Sequence, residues 1–165
     1  MSKYFGFILL LVLAVNGLFG QKNKFVPTYS TILPNIQGPI VLRQCSRSVP
    51  EKVESYFELA TTDIQNVENN FKKILSVKAT GCCLIGGKIK KLEGYGFQYL
   101  GIVIGNQKYI YINAFRIETP EDITTFYKNW KSEPIMVCDG GVSFWGVLFD
   151  VEKKLFCQLS INGEG

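Results

Sequence analysis

The sequence predicts an α+β fold with a largely antiparallel sheet, and three observations carry that expectation. Residues 95–117 alternate apolar and polar about Gly105-Asn106, which is the pattern of a hairpin with a tight turn. Two stretches of helical spacing begin near Thr61 and Thr119 and interrupt the strands without alternating regularly with them. The last third of the chain divides into short apolar runs at Asp139-Gly140-Gly141 and again around Asp150 to Lys153. The expected order is roughly β-α-(β)-β-β-α-β-β-β, about five to seven strands and two helices, with the helices on one face of the sheet.

The chain opens as a secretory leader. Lys3 supplies a positive start, Phe5 to Val15 form an apolar run, and Gly17 and Gly20 are small residues suited to cleavage, so residues 1–20 read as a signal peptide. The run is shorter than the roughly 20 residues a membrane span needs, and no cysteine follows it to carry a lipid. The expectation is a secreted or periplasmic protein with no stable membrane insertion once the leader is removed.

Residues 21–52 contain Pro27, Pro34, Pro39 and Pro50, four of the six prolines. Proline fixes φ and lacks an N–H, so this region reads as an extended arm, with Ile36, Ile40, Val41 and Leu42 available to pack along a single domain spanning 53–165. Val53, Ser55, Phe57 and Leu59 alternate with Glu54, Tyr56 and Glu58, the period of a strand. A helix then starts at a Thr61 or Thr62 cap with Asp63 in its first turn. Ile64, Val67, Phe71, Ile74 and Leu75 form its apolar stripe, and Glu68 pairs with Lys72.

Gly81 to Gly94 is less regular and has room for one short strand. The hairpin follows, with Ile110, Ile112 and Ala114 expected in the core and Tyr109, Tyr111 and Asn113 on the opposite face. Thr119-Pro120-Glu121-Asp122 is a helix start, with a cap, a proline at the first position and acids in the first turn; the helix is expected to end near Trp130. Three strands complete the chain: Pro134 to Cys138, Val142 to Phe149 and Leu155 to Ile161. The second is apolar on both faces and so belongs in the middle of the sheet.

Composition excludes several chemistries. The chain has no histidine, which removes Ser-His-Asp triads, Cys-His pairs and His-ligated metal centres. A formal net charge of +4 is weak, and Lys88, Lys90 and Lys91, with Lys72 and Lys73 on the helix, make no concentrated basic face, so no nucleic-acid partner is expected. Glu54 and Glu58 sit too far apart along a strand for a retaining carboxylate pair. No catalytic residues, metal ligands or cofactors are expected.

Five cysteines survive loss of the leader, and an odd number leaves at least one thiol unpaired in a monomer. A bridge from Cys45 to Cys138 would tie the arm to the sheet and stabilise it by about 4 to 5 kcal/mol in the chain-entropy model. Cys82 and Cys83 lack the spacing of a redox or zinc motif, and Cys157 alternates with Leu155, Leu159 and Ile161 as a core thiol would.

Two groups are candidates for ligand binding. Tyr109, Tyr111 and Asn113 share one strand face, where aromatic planes and an amide suit a glycan or peptide; the same face would serve equally as a surface covered by a helix or by the arm. Asp139, Gly140 and Gly141 permit positive φ and close backbone approach, as a binding loop or as a plain tight turn. Trp130 and Trp145 read as core anchors, and Arg47 with Asp139 as an ion pair.

Gln44-Cys45-Ser46-Arg47, Tyr111-Ile112-Asn113-Ala114-Phe115, Trp130, Val137-Cys138-Asp139-Gly140-Gly141, Phe144-Trp145-Gly146-Val147 and Asn162-Gly163 together resemble a family of short exported bacterial proteins of unassigned function. That resemblance implies architecture more than mechanism, and it favours Cys45 and Cys138 as a structural disulfide because both lie in the matching motifs. The leading reading is an exported protein that binds a protein, peptide or glycan without chemistry. A cell-envelope enzyme using Cys or carboxylate chemistry, and a structural interaction module, are the alternatives.

Overall fold

The computed structural model describes residues 24–165. The expected leader lies outside the described residues. Six strands form one mixed sheet: β1 (Tyr29–Ile32), β2 (Ser55–Phe57), β3 (Tyr95–Ile104), β4 (Gln107–Arg116), β5 (Phe144–Asp150) and β6 (Leu155–Ile161), in the spatial order β1-β3-β4-β5-β6. β3 to β6 run antiparallel to their neighbours. β1 pairs parallel with residues 96–99 of β3, and β2 continues antiparallel along residues 101–103, so two segments of the arm side share one edge of β3. The α+β class and the strand count agree with the expectation.

The hairpin forms where the alternation and Gly105-Asn106 place it. Both turn residues have positive φ, the requirement of a two-residue turn whose twist matches its strands. Tyr95, Phe97, Tyr99, Ile110, Ile112, Ala114, Trp145, Val147 and Phe149 line one face of the sheet and are buried. α2 (Thr61–Asn70) and the 3-10 turns that continue it (Phe71–Ser76) cover that face with Val67, Phe71 and Ile74. Phe71 sits at the hub, with its ring centroid 4.8 Å from Phe97 and 6.2 Å from Phe156. Each such fully buried side chain contributes roughly 1.5 to 3 kcal/mol.

Local chemistry corrects several boundaries. The cap of α2 is Ala60, not Thr61 or Thr62, because the Asp63 carboxylate accepts the Ala60 N–H at 2.9 Å. The Asn70 amide donates to the Asn66 carbonyl at 2.8 Å, competing with the backbone where α2 gives way to 3-10 turns. Glu68 pairs with Lys24 of the arm at 3.8 Å instead of with Lys72. The arm is not extended throughout: besides β1 it holds a one-turn helix, α1 (Gly38–Val41), started by Pro39. Residues 81–94 form turns and no strand.

α3 (Pro120–Thr125) starts as expected, with Asp122 accepting the Glu118 and Thr119 N–H groups, but it ends five residues before Trp130. Phe126 and Tyr127 both donate to the Asp122 carbonyl, and turns carry the chain onward. α3 packs through Ile123 against the Phe115 cluster, on the face of the sheet opposite α2. The helices therefore do not share a face. The expected strand over residues 134–138 is absent. β6 also departs from simple alternation: Leu148 pairs with Cys157 but Gly146 with Ser160, and Gln158 takes φ 51° in the bulge. The bulge puts Phe156 and Leu159 in the same core, leaves Leu155 exposed, and moves Cys157 to the rim of the opposite cluster, where it is half-buried and not a core residue.

Candidate functional site

Pairing across β3 to β6 aligns Gln98, Asn113, Gly146 and Ser160 in one row on the face away from α2. Gln98, Asn113 and the following Asn162 are buried, and their amides have internal partners. Asn113 donates from Nδ2 to Gln98 Oε1 at 2.8 Å and to the Ile135 carbonyl at 2.9 Å. Gln98 Oε1 also accepts the Ile135 N–H, and Gln98 Nε2 donates to the carbonyls of Trp130 and Glu133. Asn162 Nδ2 donates to the carbonyls of Val137 and Asp139.

Residues 130–139 thus lie over the sheet face with their backbone held by side-chain amides. This is why the apolar alternation at 134–138 looks like a strand without being one. Ile135, Val137 and Asp139 offer their polar groups at a two-residue spacing, but to side chains instead of to a neighbouring strand. Buried backbone groups need partners, and here amides supply them.

Arg47 completes the row. It is 4% exposed and donates to Asn162 Oδ1 at 2.9 Å, to the Tyr111 hydroxyl at 3.3 Å and to Asn113 Oδ1. All three acceptors are neutral. The expected pair with Asp139 does not form: Lys24–Glu68 and Lys153–Asp150 are the ion pairs among the described residues. The Cys45–Cys138 disulfide closes over the same region and ties the arm to the amide-held segment.

The sequence-predicted binding residues divide accordingly. Tyr111 and Asn113 are buried, the first in an apolar cluster with Leu33 and Val41 of the arm, the second in the amide row. Tyr109 packs at the rim of that cluster and donates to Gln107 Oε1. Their common face is covered by the arm and by residues 130–139. Gly140 and Gly141 have φ of 91° and 51°, and the Gly141 N–H donates to the Gly163 carbonyl, so the Asp139 turn is closed against the C-terminal segment. A Cβ on Gly140 would stand 2.8 Å from the Phe144 ring.

A different surface is open. A cleft of about 620 Å³ is lined by Phe126, Tyr127, Trp130, Pro134, Met136 and Val137 among others, with Lys128 and Glu133 supplying charge. Phe126 is 76% exposed and Met136 39%. Trp130 and Tyr127 form its inner wall: Trp130 is buried against Phe115, and Tyr127 meets the Phe115 ring edge-on at 4.9 Å. Burial pushes the Tyr127 hydroxyl above its ordinary pKa, and Asp122 and Glu118 add to the rise, so it stays a neutral donor. Sequence reasoning missed this cleft because it requires the early end of α3. A helix running to Trp130 would place Phe126 on the same face as Trp130, which the sequence reads as a core anchor.

Among the described residues no three His, Cys, Asp or Glu side chains gather as a metal site, and no helix is long and apolar enough to cross a membrane. Comparison with protein-family models, with curated proteins and with solved structures finds no match to this chain. The structure is that of a small α+β protein with a disulfide, compatible with an exported protein.

Proposed function

We propose that this chain is an exported binding protein whose cleft beside α3 receives an apolar segment of a polypeptide without chemistry at that cleft. One observation carries the reading: Met136 projects into solvent between Ile135 and Val137, whose backbone the buried amide row holds, and Phe126 faces solvent across the cleft from the end of α3, where its N–H is bound to the Asp122 carbonyl. A site whose walls are already fixed loses little entropy on binding. Exposed aromatic and thioether groups in a concave site are typical anchors for an apolar side chain.

The occupant follows from which surfaces remain free. A glycan platform offers flat aromatic faces, but Trp130 is buried and Tyr127 is engaged with Phe115. What the cleft presents is the Phe126 ring and the Met136 thioether, with Lys128 and Glu133 beside them. That chemistry suits an apolar side chain flanked by backbone. The sequence pattern of a leader expected at residues 1–20, the disulfide and the resemblance to short exported bacterial proteins support the export half of the reading.

Selection of a displayed peptide library on the purified protein tests it. Enriched peptides should carry an apolar anchor, and Phe126→Ala with Met136→Ala should weaken them by about tenfold or more while leaving stability within about 0.5 kcal/mol. Peptides that bind the double variant equally well, or a glycan array that yields ligands where the peptide library yields none, would overturn the proposal.

A further inference from the structure

Cys82 and Cys83 are both exposed and free, with their thiols side by side. Adjacent residues usually point their side chains apart. Here Cys83 takes φ 83°, a left-handed conformation that non-glycine residues rarely adopt, and its thiol lies against that of Cys82. The loop is tied from outside: the Cys82 N–H donates to Ser48 Oγ at 2.9 Å. A hollow of about 300 Å³ adjoins the loop at Gly81 and Ser48.

We propose that Cys82 and Cys83 form a thiol–disulfide exchange site, with Cys82 as the attacking thiol and Cys83 as the resolving one. The hydrogen bond from the Cys83 thiol, and then the Ser48 hydroxyl, hold the Cys82 thiol below its ordinary pKa. The same contact with Cys82 pushes Cys83 up. A lowered, exposed thiol beside a second thiol is the arrangement of a reactive pair, unlike the half-buried Cys157, whose pKa burial raises.

The Cys82 thiolate attacks one sulfur of a substrate disulfide, forming a mixed disulfide and releasing one substrate thiolate. Cys83 then loses its proton and attacks the Cys82 sulfur, breaking the mixed disulfide and releasing the second thiolate. The substrate disulfide is reduced by two electrons, Cys82 and Cys83 are oxidised to an adjacent-residue disulfide, and their two protons end on the two released thiols.

The purified protein, mildly reduced so that Cys45–Cys138 stays bridged, is treated separately with glutathione disulfide and with a denatured polypeptide carrying one disulfide. Peptide mapping then follows each cysteine. Wild type should lose the mass of two hydrogens across Cys82 and Cys83 and retain no adduct. Cys83→Ser should stop at a stable mixed disulfide on Cys82, and Cys82→Ser should react about tenfold more slowly. Oxidation by glutathione disulfide assigns the site to small-molecule disulfides, and oxidation by the polypeptide alone assigns it to protein disulfides. No oxidation by either, separate adducts on both cysteines of the wild type, or faster attack by Cys83 would each overturn the proposal.

Discussion

Arg47 donates to Asn162 Oδ1 at 2.9 Å, joining two buried residues that lie 115 positions apart in the chain. The guanidinium links the arm to the end of the sheet, and through Asn113 and Asn162 it braces the amides that hold residues 135–139. A buried cation with neutral acceptors depends on the fit of every hydrogen bond, since no opposite charge offsets its desolvation.

Arg47→Lys should therefore cost about 2 to 4 kcal/mol, because one ammonium cannot reach the acceptors that the planar fork spans. Urea denaturation measures the loss. A change below about 0.5 kcal/mol would show that the disulfide alone holds the segment.

Removing the disulfide acts differently. Cys45→Ala with Cys138→Ala releases a loop of sequence separation 93 and should lower stability by about 4 kcal/mol, chiefly through the unfolded state. Residues 130–139 should nevertheless keep their native conformation, since the amide row is intact. Hydrogen exchange at Ile135, whose N–H is bound by Gln98, should stay slow in conditions where the variant is folded.

Gly146 has no side chain because Tyr111 occupies that space: a Cβ would stand 2.5 Å from the Tyr111 hydroxyl and 3.0 Å from its ring. Gly146→Ala should cost roughly 1 to 3 kcal/mol by overpacking. Tyr111→Phe removes both the clash with the hydroxyl and the acceptor for Arg47, so the two substitutions together should cost less than the sum of their separate effects, with a coupling of about 0.5 kcal/mol or more in a double-mutant cycle.

Acid should act through Asp150. Burial by itself would raise this carboxyl, but the N–H groups of Lys153 and Glu152 and the Lys153 ammonium outweigh it and hold the pKa below the ordinary value. A group depressed on folding contributes stability that is present above its unfolded value, about 3.9, and is lost as pH falls through the folded value. Denaturation midpoints should accordingly drop more steeply below about pH 4 in the wild type than in Asp150→Asn. Parallel curves would show that Asp150 carries none of the acid sensitivity.

The elements readable from the chain alone are those whose cause is local. Alternation with Gly105-Asn106 specifies the β3–β4 hairpin, because a two-residue turn sets the register and one face must be buried. Thr119-Pro120 starts α3 because cap and proline act within a single turn. The Cys45–Cys138 bridge followed from matching motifs and not from periodicity, which says nothing about pairing between distant cysteines.

Alternation reports which side of a segment is apolar but not what its backbone bonds to. Residues 134–138 satisfy the period of a strand while their N–H and C=O groups go to Gln98, Asn113 and Asn162. In β6 one bulge at Gln158 reverses the facing of everything before it, which exposes Leu155 and moves Cys157 off the main core. Tyr111 and Asn113 look like a ligand face in the strand and become interior once the arm and residues 130–139 close over them. The sequence by itself determined the fold class, the hairpin and the start of α3, because alternation, a two-residue turn and a helix cap each act within a few residues. Only the tertiary structure decided that Arg47 binds amides instead of Asp139, that Phe126 and Met136 flank an open cleft, and that Cys82 and Cys83 face each other. Each of these depends on partners or backbone angles supplied by distant parts of the chain.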